Sequence, residues 1–111
     1  MSLNILQKIK NLKMGDDVVT YYANRVFEGK VLKIGKKYIT TNHNYCNKFD
    51  FEGYGNIGGY VLFPGNINEY NDHIETQKMA MSILRILTDN IHYLSKEDLN
   101  IIQNVINKNN L

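Results

Sequence analysis

Val31-Leu32-Lys33-Ile34-Gly35-Lys36-Lys37-Tyr38-Ile39-Thr40 decides the fold of this chain. Apolar and polar residues alternate on each side of Gly35, the period-2 signature of a β-hairpin with one buried face. Val31 and Leu32 interrupt the alternation. Gly29, just upstream, would let the strand bulge and bend, as a small closed barrel requires.

Working outward from the hairpin, Val18-Val19-Thr20-Tyr21-Tyr22 is β-branched and aromatic and reads as a first strand. Ala23-Asn24-Arg25 is a tight connection into a second strand from Val26 to Ile34, and Lys37 to Thr41 is the third. After a polar loop, Asn42 to Asn47, the stretch Lys48-Phe49-Asp50-Phe51-Glu52 alternates cleanly. Tyr60-Val61-Leu62-Phe63 makes a last strand, stopped by Pro64-Gly65. Upstream, Ile5, Leu6, Ile9 and Leu12 sit at helical spacing and predict a short helix ending near Met14-Gly15. Downstream, Tyr70, Ile74, Met81 and Leu84 predict a long helix that weakens at Thr88-Asp89-Asn90. Ser95 reads as the N-cap of a final helix carrying Leu99, Ile102, Val105 and Ile106, with Asp98 at its third position.

The expected architecture is therefore α+β: a small five-stranded antiparallel SH3-like β-barrel with a short N-terminal helix and two C-terminal helices. It forms a single domain over residues 1–111, with the barrel at about 15–64 and the helical tail, 66–108, packed on it. Val19, Tyr21, Phe27, Val31, Ile34, Ile39, Phe49, Phe51, Val61 and Phe63 are expected to line the core, joined by Ile74, Leu84, Leu87, Leu99 and Ile102.

At 43% hydrophobic and 22% charged, with one proline, the chain has the composition of a globular protein rather than a disordered one. Its apolar runs are too short to span a membrane, and Met1 to Lys10 lacks the apolar core of a signal peptide. One cysteine, Cys46, excludes an internal disulfide and fits a reducing cytoplasm. Eight tyrosines, no tryptophan and many asparagines suit an AT-rich bacterial or phage genome. The net charge of +2 conceals an asymmetry: residues 1–48 carry nine basic against three acidic residues, net +6, and residues 49–111 carry four against eight, net −4. Either the molecule has two electrostatic faces or its halves neutralise each other in the fold.

The motifs carry little chemistry. Gly53-Tyr54-Gly55-Asn56-Ile57-Gly58 matches a dinucleotide-binding G-x-G-x-x-G, but that motif needs a helix N-terminus after it to cradle the pyrophosphate, and here a strand follows. His43 and Cys46 have the spacing of half a zinc site without a second pair. No nucleophile, base and orienting group converge, so the expectation is a non-enzyme without cofactor or metal. Two binding surfaces stand out. Lys30, Lys33, Lys36, Lys37 and Lys48, interleaved with Tyr38, Tyr45 and Phe49, suit a nucleic acid whose bases stack while lysines follow the phosphates, although Phe49 also alternates as a core residue should. Glu69, Asp72 and Glu75 at the start of the long helix suit a protein partner, although carboxylates there also complement the helix dipole. The acidic half opposes a polyanion, which favours the protein partner.

The order Phe27-Glu28-Gly29-Lys30-Val31 through Thr40, then Lys48 to Glu52 with its glycine, then Leu94-Ser95-Lys96-Glu97-Asp98-Leu99 and an isoleucine-rich end resembles small β-barrel domain-containing proteins encoded by bacterial viruses and prophages. The resemblance covers about residues 15–108 and brings no catalytic residues. It implies a phage-type accessory protein in the cytoplasm of a bacterial host. Such a protein would bind a host or phage protein stoichiometrically and inhibit a host enzyme or defence complex.

Overall fold

In the computed structural model, residues 3–110 are described; Leu111 and the Met1-Ser2 part of the leader reading lie outside them. The protein is α+β, with five antiparallel strands curled into a half-barrel and three helices. It divides into two compact units, Met1–Ile74 and Glu75–Leu111.

The first unit opens with α1 (Leu3–Lys10), which buries Ile5 and Ile9, four residues apart on one face. The helix stops earlier than the apolar spacing suggests, because the Asp16 carboxylate accepts the Lys13 N–H at 2.8 Å and turns the chain toward the sheet. Strands β1 (Asp17–Tyr22), β2 (Arg25–Ile34), β3 (Ile39–Thr41), β4 (Lys48–Phe49) and β5 (Val61–Phe63) form one sheet in the order β4-β3-β2-β1-β5. The long strand β2 serves both halves of it: Arg25 to Lys30 pair with β1, and Val31 to Ile34 pair with β3.

The bend in β2 is where the alternation breaks, but not at the glycine. The register shifts between Val31 and Lys33, whereas Gly29 pairs in step with Val18. Gly29 instead answers a close approach. A Cβ there would lie 2.6 Å from Oδ1 of Asn42, which accepts the Lys30 N–H at 3.0 Å and ties β2 to the loop after β3.

Val18, Val19 and Thr20 are buried in succession, so both faces of β1 are covered. Val19 and Tyr21 share a face with Phe63, and this face meets the first turns of α2 (Ile67–Asn90) through ring contacts from Tyr70 to Tyr21 at 5.3 Å and to Phe63 at 5.5 Å. Desolvation raises the pKa values of both Tyr21 and Tyr70, and for Tyr21 the nearby Tyr70 and Tyr54 add to the rise. Val31, Ile39, Phe49 and Phe63 are core residues as expected, while Tyr21, Phe51, Val61 and Ile74 are half-buried. Ile5, Ile9, Cys46, Leu62 and Tyr70 complete the core.

Four expected core residues are exposed. Phe27 and Ile34 lie at opposite ends of β2, where hairpins run past the core; Leu84 and Leu99 belong to the second unit. That unit holds the rest of α2, a 3-10 turn over Ile91–Tyr93, and α3 (Lys96–Lys108). Ser95 caps α3 as its position predicts, its hydroxyl accepting the Asp98 N–H at 3.1 Å. No described residue of this unit is buried; Leu87, Leu94, Ile102 and Ile106 are half-buried. Among the described residues, no helix is long and apolar enough to cross a membrane.

Candidate functional site: an aromatic cleft on the sheet

At the end of the sheet where β1 turns into β2, antiparallel pairing places Tyr22 opposite Arg25 and Thr20 opposite Phe27, all four on one face. Tyr60, two residues before Leu62, reaches the same face, because Leu62 pairs with Thr20. The Tyr60 ring stacks on Tyr22 with centroids 4.9 Å apart and planes 17° apart. Gly59 makes this possible. Its φ is +88°, and a Cβ at that position would fall 2.5 Å from the Tyr22 ring.

The loop after β3 supplies the other wall. His43 Nδ1 accepts two backbone N–H groups, from Tyr45 at 3.1 Å and from Cys46 at 2.9 Å, and the His43 N–H donates to the buried Thr41 hydroxyl at 3.3 Å. With Nδ1 accepting, the neutral ring carries its proton on Nε2. The imidazole meets Phe27 edge-on at 4.7 Å and Tyr60 at 5.4 Å, while Tyr45 approaches Tyr60 at 5.8 Å. Tyr60 is thus the hub of a connected aromatic wall. Together with Arg25, Glu28, Asn42 and Asn44, these rings line an open cleft of about 500 Å³. Tyr45 is 66% exposed and Phe27 38%, so apolar ring surface faces solvent inside a concave site.

The residues singled out in the sequence are scattered by the fold. Tyr45 lines the cleft. Lys30 ion-pairs with Asp17 at 2.7 Å, and this hydrogen bond, with the charge behind it, raises the Lys30 pKa. Lys33 pairs with Thr40 near the end of β2, and Lys36 and Lys37 occupy the β2–β3 turn beyond it. There Lys37 Nζ sits 5.5 Å from the centre of the half-buried Tyr38 ring, and Lys48 is exposed on β4. Lys36 and Lys37 therefore lie at the turn end of β2, and the aromatic wall is built at its other end.

Glu69 is engaged in a capping box: Asn66 Oδ1 accepts its N–H at 2.9 Å, and its carboxylate accepts the Asn66 N–H at 3.1 Å. Asp72 and Glu75 are exposed farther along α2. Cys46 is buried, its Sγ 3.6 Å from Asn56 Oδ1, and among the described residues no three His, Cys, Asp or Glu side chains gather where a metal could bind. Within Gly53 to Gly58, Gly55 bridges to Phe49 and Tyr54 to Val61, and β5 follows, so no helix N-terminus is offered to a phosphate.

Phe27, His43 and Tyr60 were not legible as a site, since each is remote in sequence and Phe27 alternates as a core residue would. The usable signal was the density of tyrosine, histidine and asparagine in the loop 42–47, which a buried loop could not satisfy. Comparison with known proteins finds no matching family model, no matching curated protein and no matching solved structure.

Proposed function

We propose that the protein acts by stoichiometric binding without catalytic turnover, and that the aromatic cleft receives an extended segment of a protein partner. The observation that carries this reading is the connected wall of Phe27, His43, Tyr45 and Tyr60, open to solvent and edged by one guanidinium and one carboxylate. Small barrels lined in this way recognise peptides by packing apolar side chains between rings while amides and a few charges set orientation. The strand order β4-β3-β2-β1-β5 supports reading the half-barrel as SH3-like. The position of Lys36 and Lys37 at the far turn, and the ion pair that engages Lys30 with Asp17, weigh against nucleic acid, which needs stacking surfaces and phosphate-binding cations side by side. The resemblance to phage-encoded β-barrel proteins extends the proposal to a host or phage protein as partner, met in the host cytoplasm. Inhibition of a host enzyme or defence complex would be the outcome.

The test is a pull-down from bacterial lysate with the intact chain and its Tyr60→Ala and Lys33→Ala/Lys36→Ala/Lys37→Ala variants, with and without nuclease. A nuclease-resistant partner lost with Tyr60→Ala and retained by the triple lysine variant supports the reading. Salt-sensitive binding of a single-stranded oligonucleotide, lost in the triple lysine variant, overturns it.

A further inference from the structure

The cleft has a backbone edge as well as an aromatic wall. Strand β2 outruns its neighbour: β3 pairs with it only from Val31 onward, so Arg25 to Gly29 are paired on the β1 side alone. In an antiparallel ladder, successive residues turn their N–H and C=O groups to alternate sides. Val31 bonds toward β1, its N–H donating to the Asp16 carbonyl and its own carbonyl accepting the Gly15 N–H. Lys30 bonds the other way, its N–H donating to Asn42 Oδ1 and its carbonyl accepting the Asn42 N–H. Val26 and Glu28 alternate in step with Lys30, so their backbone groups also point away from β1. Among the described residues, no hydrogen bond reaches those outward groups, and both residues are exposed. Arg25, Phe27 and Glu28 line the cleft, so this free edge is its border. Neither a proline nor a bulge blunts it.

Granting that the cleft receives an extended segment of a protein partner, we propose that this segment adds to β2 as a further antiparallel strand. It takes the place that β3 leaves after Asn42, and its backbone bonds to Val26 and Glu28.

The register then dictates the chemistry of the segment, because cross-strand neighbours share a face. The residue opposite Phe27 meets the aromatic wall and is apolar. Two residues later, the one opposite Arg25 lies on the same face and is acidic. The residue opposite Glu28, on the other face, is basic. The partner therefore presents the order basic, apolar, any residue, acidic. A second copy of this chain does not satisfy it. Edge to edge, Arg25 could face only the odd-numbered residues of β2, and none of these is acidic.

The probe is a displayed library of random linear peptides, selected on the intact chain. Selected sequences should carry that order and be lost with Tyr60→Ala. Arg25→Glu should turn the acidic position basic. In a selected synthetic peptide, N-methylating the residue opposite Val26 should weaken binding about 10-fold or more, whereas methylating the one opposite Arg25 should cost about 3-fold or less. Val26→Pro removes an outward N–H without touching the β1 ladder, and should weaken binding to the same degree as the first methylation. On binding, the Val26 and Glu28 amides should become protected from hydrogen exchange. Peptides that depend on Tyr60 yet tolerate N-methylation at every position, or leave both amides unprotected, overturn strand addition while the cleft remains a peptide site. A selection unchanged by Arg25→Glu overturns the register and with it the proposal. A library that returns no Tyr60-dependent peptide overturns both readings.

Discussion

The two units of this chain solve the burial problem in opposite ways. In Met1–Ile74, short strands and two half-covered helical segments surround Phe49, Ile39, Leu62 and Ile9, each with essentially no exposed surface. In Glu75–Leu111, longer and more regular helices bury nothing among the described residues. Regularity of an element is thus no measure of its packing. A curled sheet brings residues distant in sequence to one centre, whereas a helix can only offer a stripe and wait for a surface to meet it.

Truncation gives the largest expected effect and the sharpest way to break that contrast. Phe49→Ala should cost about 3–5 kcal/mol in urea unfolding, since it leaves a cavity that rigid strands fill poorly. Leu84→Ala, at a side chain 58% exposed, should cost below about 1 kcal/mol. Equal losses at the two positions would mean that Leu84 has a core of its own.

Within the sheet unit, Gly59→Ala should cost about 1–3 kcal/mol, because it forces a Cβ into the left-handed region and toward the Tyr22 ring. Near-ultraviolet circular dichroism should lose tyrosine signal as the Tyr22–Tyr60 stack opens. Gly58→Ala next to it, where a Cβ meets nothing, should leave that signal intact.

The smallest effect lies in alkaline solution. Tyr21 and Tyr70 have folded-state pKa values raised above the unfolded value of about 10, first by desolvation. A group with a raised pKa keeps its full contribution below the unfolded value and loses it as pH climbs through the folded one. Stability should therefore fall above about pH 10, and Tyr21→Phe should make that fall shallower. Absorbance at 295 nm should show these two phenols ionising above the ordinary tyrosine value.

Much of the fold was legible because it depends on local periodicity. The β2–β3 hairpin, the strand at Val18 to Tyr22, the stop at Pro64 and the Ser95 cap all follow from alternation, β-branching or a side chain that bonds its own backbone. Which apolar residues enter the core was not local. Phe27 alternates like Phe49, yet lies beyond the end of the enclosed region, while Ile5 and Ile9 reach the core from a helix eight residues long.

The sequence by itself determined the class of the fold and the place of its strands, since both rest on residue types and their spacing. Only the tertiary structure decided where a ligand could lodge. Phe27, His43 and Tyr60 become one wall through cross-strand pairing, a positive φ at Gly59 and the N–H bonds to His43 Nδ1. A strand alternates without specifying which end the curled sheet will enclose, and that choice left Phe27 in the cleft while Phe49 went to the core.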